Sequence, residues 1–190
     1  MGIFNFLQKK SSASNSVEFF TDPRDGEKYR TVRIGNQIWM AENFRHNKNE
    51  YKKGYWWNYN GNKEQIKQYG CLYDWNSAMK LAPAGWHLPT KTEYEEMIES
   101  VSEAGLDAVY FLEVGGSSGF DAVYGGMYNE LYSPDSIGDT AFYWTSQPRS
   151  SWKDNDDYHY YLCLTRWEKK WGFDSLYTSQ LLSVRYVKDK

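Results

Sequence analysis

The chain is poor in the residues that most often build reactive or metal sites. Only two cysteines and three histidines occur among its 190 residues. The cysteines, Cys71 and Cys163, are far apart in sequence and show no CxxC or Cys/His spacing, so we do not expect a structural zinc site. We expect two free thiols in a reducing compartment, and a single disulfide between them is the alternative.

An excess of basic residues and a long apolar run are also missing. The net charge of -3 and the pI near 5.7 argue against a surface for phosphate backbones, so we expect no nucleic-acid partner. The apolar run at residues 3–7 is too short to span a membrane, and it precedes Lys9 and Lys10, whereas an export signal begins with its basic residues. We therefore expect no membrane span and a protein that is cytoplasmic or released without a signal peptide.

Aromatic residues, in contrast, are abundant. They make up 18% of the chain, with 17 Tyr and 9 Trp, although the mean hydropathy is only -0.80. Exposed Tyr and Trp give a large contact area at low entropic cost, so a ring-rich surface favours binding. Burial in the core is the alternative for any single ring, and we expect it for Trp144.

Local patterns predict a flexible segment over residues 1–20 and a single domain over 21–190, which is long enough for a real core. The stretch Tyr29–Met40 alternates apolar and polar residues around a Gly-Asn turn and predicts a hairpin. Residues 47–65 are polar and lack periodicity, so we predict a long loop there. Trp75 begins a segment with helical spacing.

The stretch "GWHLPTKTEYEEM" combines a histidine with several carboxylates and raises the question of a reactive site. Thr90 and Glu93 form a capping box, and the apolar residues from Tyr94 to Val101 repeat at helical spacing. The other glutamates lie mostly off that face or in the first turns, where the helix dipole favours them. We interpret His87 as a structural residue before a helix, and a ligand or base is the alternative.

The second half alternates glycine-rich turns with short strands such as "FYWTS", "YHYYLCLTRW" and "LLSVRYVK". A hairpin, two helices and then antiparallel strands predict an α+β fold with the terminal strands side by side.

Six blocks of sequence stand out from about Asp22 to Asp189: "DPRDGEKYRTVRIGNQIWMAENF", "YGCLYDWNSAM", "PAGWHLPTKTEYEEM", "GGMYNELY", "YWTSQP" and "SVRYVKD". In this order they resemble the blocks of the Fibrobacter succinogenes major paralogous domain family. The resemblance implies a C-type-lectin-like fold, as in formylglycine-generating enzymes, with two helices, small antiparallel sheets, paired terminal strands and a long loop-rich region that binds ligands. It implies no established activity.

Two departures from the family pattern are visible. Ala82 and Tyr186 stand where members commonly carry cysteines, which fits a reducing location if those cysteines pair in exported relatives. Leu181 and Leu182 replace glycine and its neighbour before the closing block, so the final turn is expected to differ.

Enzymatic and calcium-dependent activities both lack part of their usual residues. The copper site of formylglycine-generating enzymes needs two cysteines in the C-terminal half, and this chain has only Cys163 there. The acidic run from Asp154 to Asp157 offers oxygen ligands for calcium. Arg149, however, follows Gln-Pro where the lectin pattern needs a carboxylate, so a solvated acidic turn is favoured.

We therefore predict a non-enzymatic binding module, with no catalytic residue, no metal and no cofactor. The expected partner is a protein, recognised by the loop-rich aromatic half. The alternative is a carbohydrate-binding, lectin-like module with assistance from calcium. The predicted ligand-binding residues are Trp56, Trp57, Trp152, Asp154, Asp156, Tyr158, Tyr160, Trp167 and Trp171.

Overall fold

The computed structural model describes residues 17–46, 56–57, 59–102, 107–129, 133–149 and 157–190. Within these residues the protein is α+β, as predicted, with a five-stranded sheet, a six-stranded sheet and a two-stranded sheet. The strands are β1 Glu18–Thr21, β2 Lys28–Ile34, β3 Gln37–Met40, β4 Trp56–Trp57, β5 Leu72–Tyr73, β6 Trp86–His87, β7 Met127–Asn129, β8 Ser133–Asp135, β9 Thr140–Pro148, β10 Tyr158–Thr165, β11 Trp171–Tyr177, β12 Leu182–Ser183 and β13 Val187–Lys188. The helices are α1 Lys63–Tyr69, α2 Trp75–Lys80, α3 Lys91–Val101 and α4 Val109–Leu112.

The five-stranded sheet brings the two ends of the domain together in the order β1-β2-β3-β13-β6. The predicted hairpin is confirmed, since Ile34 pairs with Gln37 across a turn in which Gly35 has a φ of 56°. The last strand lies antiparallel to β3, with Val187 opposite Trp39, and antiparallel to β6. The predicted pairing of the terminal strands therefore holds for the second strand of the hairpin but not for β1, which pairs with β2. Strand β1 includes residues 18–20 of the segment that was predicted to be flexible.

The six-stranded sheet has the order β11-β10-β9-β12-β5-β4 and contains the longest strands. Two elements correct the predicted loop at 47–65, because β4 and the start of α1 lie there. Helix α1 begins where the Asn62 side chain accepts a hydrogen bond from the Gln65 amide, and its cap residue is Gly70. The helix has no buried residue, so it lacks the apolar periodicity that would have predicted it.

Helices α2 and α3 confirm the predictions from capping and periodicity. The Thr90 hydroxyl accepts from the Glu93 amide at 3.1 Å, and the Glu93 carboxylate accepts from the Thr90 amide at 2.9 Å. Helix α3 then buries Tyr94, Met97 and Ile98 against the sheets. Helix α4 is a single turn that no local sequence pattern predicted.

The core forms two main clusters on opposite faces of the five-stranded sheet. Neighbouring residues of β3 show this, because Trp39 packs in one cluster and Met40 in the other. Trp144 is fully buried, as expected. Among the described residues no helix is long and apolar enough to cross a membrane.

Arg185 lies fully buried near both clusters, in the closing "SVRYV" block. Its guanidinium donates to the Asn43 side chain at 2.6 Å and to the carbonyls of Met40 at 3.2 Å and Asp121 at 2.8 Å, and also to the carbonyl of Phe120. Arg185 therefore connects the end of β3 and the C-terminal strands to the loop between α4 and β7.

Candidate binding surface

The hairpin of β10 and β11 carries the four predicted site residues whose side chains are described. Tyr158 and Tyr160 lie near its open end, whereas Trp171 starts β11 opposite Leu164 and Trp167 lies in the connecting turn. At about 3.3 Å per residue, the strand separates Tyr158 from Leu164 by roughly 20 Å. The structure thus divides the predicted residues between two separate places.

The other five predicted residues do not belong to the described part of this hairpin. Trp152, Asp154 and Asp156 lie outside the described residues. Trp56 and Trp57 form β4 at the far edge of the six-stranded sheet, where they pair with Tyr73 and Leu72 of β5. Their role in binding stays a prediction.

At the open end of the hairpin the rings pack against neighbouring side chains. The rings of Tyr158 and Tyr177 lie 4.0 Å apart between centroids. The ammonium group of Lys91 lies 5.7 Å from the centroid of the Tyr160 ring, and Arg149 donates to the Ser175 hydroxyl at 3.0 Å. Tyr158 and Tyr160 are only partly exposed and Tyr177 is 47% exposed, so no ring at this end is as exposed as Trp167 at the turn.

At the turn, Trp167 is the most exposed large apolar side chain of the described residues, at 74%. Its indole nitrogen donates to the Asp139 carboxylate at 2.8 Å, which fixes the ring while leaving it in solvent. The guanidinium of Arg166 lies 4.9 Å from the Trp167 ring and 5.6 Å from the Tyr124 ring. Arg166 forms no salt bridge within the described part of the chain.

Glu113 fixes the turn to the loop that follows α4. Its carboxylate pairs with the ammonium group of Lys169 at 2.5 Å and accepts from the Tyr124 hydroxyl at 3.0 Å. Burial and this hydrogen bond both raise the pKa of Tyr124, so its hydroxyl remains a donor. The same ammonium lies 5.2 Å from the ring of Tyr110.

These contacts, together with the position of Trp171 at the start of β11, define a patch that we call the turn-end surface. Four of the eight exposed large apolar side chains in the described residues belong to it. A cavity of about 260 Å³ opens beside it, lined in part by Glu113, Val114, Tyr124 and Arg166. The turn-end surface consists of Tyr110, Val114, Tyr124, Arg166, Trp167, Lys169 and Trp171.

A different cluster is the only group in the described residues with the composition of a metal site. Ligand atoms of Asp22, Asp25 and His46 lie within 4.8 Å of one another. Arg24 already neutralises the buried Asp22, however, with its Nη2 at 2.6 Å and its Nε at 2.9 Å from the two carboxylate oxygens. Burial would raise the pKa of Asp22, but the hydrogen bonds from Arg24 outweigh it and lower the pKa. We therefore interpret the cluster as structural. Arg24 also donates to the Leu81 carbonyl at 2.9 Å and so connects the turn after β1 to the end of α2.

His87 makes contacts that agree with a structural role. Its Nε2 lies 2.9 Å from the Glu93 carboxylate, and its Nδ1 lies 2.6 Å from the Asp189 carboxylate. Partial burial would lower its pKa, but the two carboxylates outweigh this and raise it. His87 thus links the start of α3 to the C-terminal segment.

Both cysteines are free, and neither is activated. Burial raises the pKa of Cys71 to about 12 and that of Cys163 to about 11. A thiol that stays protonated at neutral pH is a poor nucleophile and a poor metal ligand.

Comparison with known proteins agrees with the sequence resemblance. A family model described as the Fibrobacter succinogenes major domain matches residues 32–188, which is well over half of the chain. No curated protein and no solved structure matches. The match spans nearly all the elements described above, including the whole turn-end surface.

Proposed function

This chain belongs to the Fibrobacter succinogenes major domain family, and from that premise we propose that it is a non-enzymatic binding module for a protein partner. The turn-end surface is the proposed contact. The C-type-lectin-like fold is part of the proposal. It is supported by two main sheets, by the placement of the first and last strands in one sheet, and by the loop-rich second half.

The observation that carries this proposal is an exposed but fixed Trp167 beside Arg166. Trp, Tyr and Arg dominate the residues that lose most affinity when truncated at protein interfaces. Because Asp139 holds the indole and Glu113 holds the neighbouring ammonium, these side chains lose little freedom on binding. Arg166 offers a cation for a carboxylate of the partner.

The chemistry of the thiols and of His87 supports a binding role over catalysis. Cys71 and Cys163 have raised pKa values, and His87 is held between two carboxylates. Two free thiols also support a reducing compartment as the place of action.

The experiment compares capture of partner proteins on immobilised wild type with capture on Trp167→Ala. Met79→Ala is the matched control, because Met79 is also exposed, at 40%, but lies on α2 outside the turn-end surface. We expect a defined protein to be retained by wild type and by the control, and its affinity to fall about 30-fold with Trp167→Ala. Equal retention by all three proteins would remove the turn-end surface from the proposal.

A glycan is the second candidate, and the exposed ring of Trp167 favours it because Arg166, which contacts this ring, also lines the 260 Å³ cavity. Calorimetry with oligosaccharides, with calcium and with a chelator, tests this candidate. Heat that disappears with Trp167→Ala supports glycan binding, and a requirement for calcium would direct attention to Asp154 and Asp156. Absence of heat under both conditions eliminates it.

A further inference from the structure

Strand β11 forms an edge of the six-stranded sheet and pairs only with β10 among the described strands. The hydrogen bonds at the two ends of this strand pair show which residues of β11 bond to β10. The Thr165 amide donates to the Lys170 carbonyl at 2.8 Å, and the Thr178 amide donates to the Asp157 carbonyl at 2.8 Å. In an antiparallel ladder every second pair is hydrogen-bonded, so Gly172, Asp174 and Leu176 direct their backbone groups to β10.

The intervening residues direct their backbone groups away from the sheet. These residues are Trp171, Phe173, Ser175 and Tyr177. The amides of Trp171 and Phe173 have no acceptor within the described part of the chain. An edge of this length, with unpaired donors and acceptors, is a template for one more strand.

Asp174 is the one charged residue of β11. Asp174 is exposed, and its carboxylate accepts from the outward amide of Ser175 at 2.7 Å. No Lys, Arg or His of the described residues lies within 4.0 Å of this carboxylate. Asp174 pairs with Tyr161, on the face of the hairpin that also carries Cys163, and its charge raises the pKa of Cys163 after the larger effect of burial.

A second copy of this chain is a less favourable occupant of the edge than a strand with a basic residue. Two β11 strands that overlap over their full length pair antiparallel about their central residue, which is Asp174. The two carboxylates would then lie directly opposite each other, and like charges at that position are destabilising. A strand with Lys or Arg at this position instead gains an ion pair.

We propose that the β11 edge binds an extended segment of a partner protein by strand addition, with a basic residue of that segment opposite Asp174. The inference rests on the proposed function, because it gives the chemistry of the protein partner. The added strand would begin beside Trp171, where the turn-end surface ends, so one partner can contact both.

The test uses two synthetic peptides, acetylated and amidated, with the sequences TVTKTVT and TVTETVT, and isotopically labelled full-length protein. Amide hydrogen exchange is followed by NMR at millimolar peptide. With the lysine peptide, exchange slows at Trp171 and Phe173, while Gly172 and Asp174 serve as references that are already bonded to β10. We expect the lysine peptide to bind about two- to fivefold more tightly than the glutamate peptide.

Two variants test whether the charge of Asp174 causes the preference between the peptides. Asp174→Asn keeps the acceptor for the Ser175 amide and should abolish the preference between peptides, whereas Asp174→Lys should reverse it. Unchanged exchange at Trp171 and Phe173 with both peptides would overturn strand addition, and an equal preference in wild type and both variants would overturn the role of Asp174. Either failure leaves the comparison of Trp167→Ala with Met79→Ala unaffected, since that experiment measures the whole partner.

Discussion

Replacing Arg185 by methionine should destabilise the protein more than almost any other single change. The guanidinium is fully buried and is the donor for four acceptors, including the Asn43 side chain and the Asp121 carbonyl. It also lies 4.5 Å from the centroid of the Phe120 ring. Methionine fills much of the volume but donates nothing, so these acceptors remain buried without a partner.

The magnitude follows from two opposing contributions. A buried acceptor without a donor costs about 1–3 kcal/mol, whereas burial of the charge itself is no longer required. Burial alone is unfavourable enough to lower the pKa of Arg185. Four such acceptors together would cost about 4–12 kcal/mol, and relief of the buried charge offsets part of this cost. We therefore expect a net loss of about 3–5 kcal/mol, a large part of the ~5–15 kcal/mol that stabilises a domain.

Urea unfolding followed by tryptophan fluorescence measures this loss. At a slope of about 2 kcal/mol/M, the midpoint should fall by roughly 1.5–2.5 M. The control is Arg33→Met, because Arg33 is exposed and should change stability by less than about 0.5 kcal/mol. A loss below about 1 kcal/mol for Arg185→Met would refute the view that this residue joins the core to the loops.

Two further substitutions test which contacts stabilise the fold. His87 has a raised pKa, so its contribution to stability is full below its unfolded value of about 6.5 and is lost as pH rises through the folded pKa. His87→Gln should therefore flatten the decline in thermal stability of wild type above about pH 6.5, and parallel curves would contradict this. Gly126→Ala should cost more than about 1 kcal/mol, because an added Cβ would lie 2.2 Å from the Asp135 carbonyl. Gly138 also has a positive φ, but nothing lies within 4 Å of a Cβ added there. If Gly138→Ala reduced stability as much as Gly126→Ala, backbone strain and not the contact with Asp135 would explain both losses.

The parts of the fold that could be predicted depend on local chemistry. The Gly-Asn turn of the first hairpin and the capping box of Thr90 and Glu93 involve residues at most a few positions apart. Each pattern has a physical meaning that tertiary contacts did not override. The start of α1 had such a pattern too, since Asn62 and Gly70 flank it, but the missing apolar face concealed it.

The turn-end surface could be predicted only in part because its contacts are long-range. Trp167 and Trp171 were predicted from ring content, whereas Tyr110 and Tyr124 were not. Glu113 and Lys169, which hold the patch together, are 56 positions apart. No local spacing indicates such a pair. The separation of Tyr158 and Trp171 at opposite ends of the hairpin likewise depends on strand length and register. Neither can be read from the composition of the chain.

Photo-crosslinking with p-benzoylphenylalanine in place of Trp167 tests the central claim most directly. The same group in place of Met79 is the control, because both positions are exposed and only the first lies in the turn-end surface. After irradiation in the cells that make the protein, we predict a defined adduct with one partner protein from position 167 and none from position 79. A partner that crosslinks equally from both positions, or only from position 79, would contradict recognition by the turn-end surface.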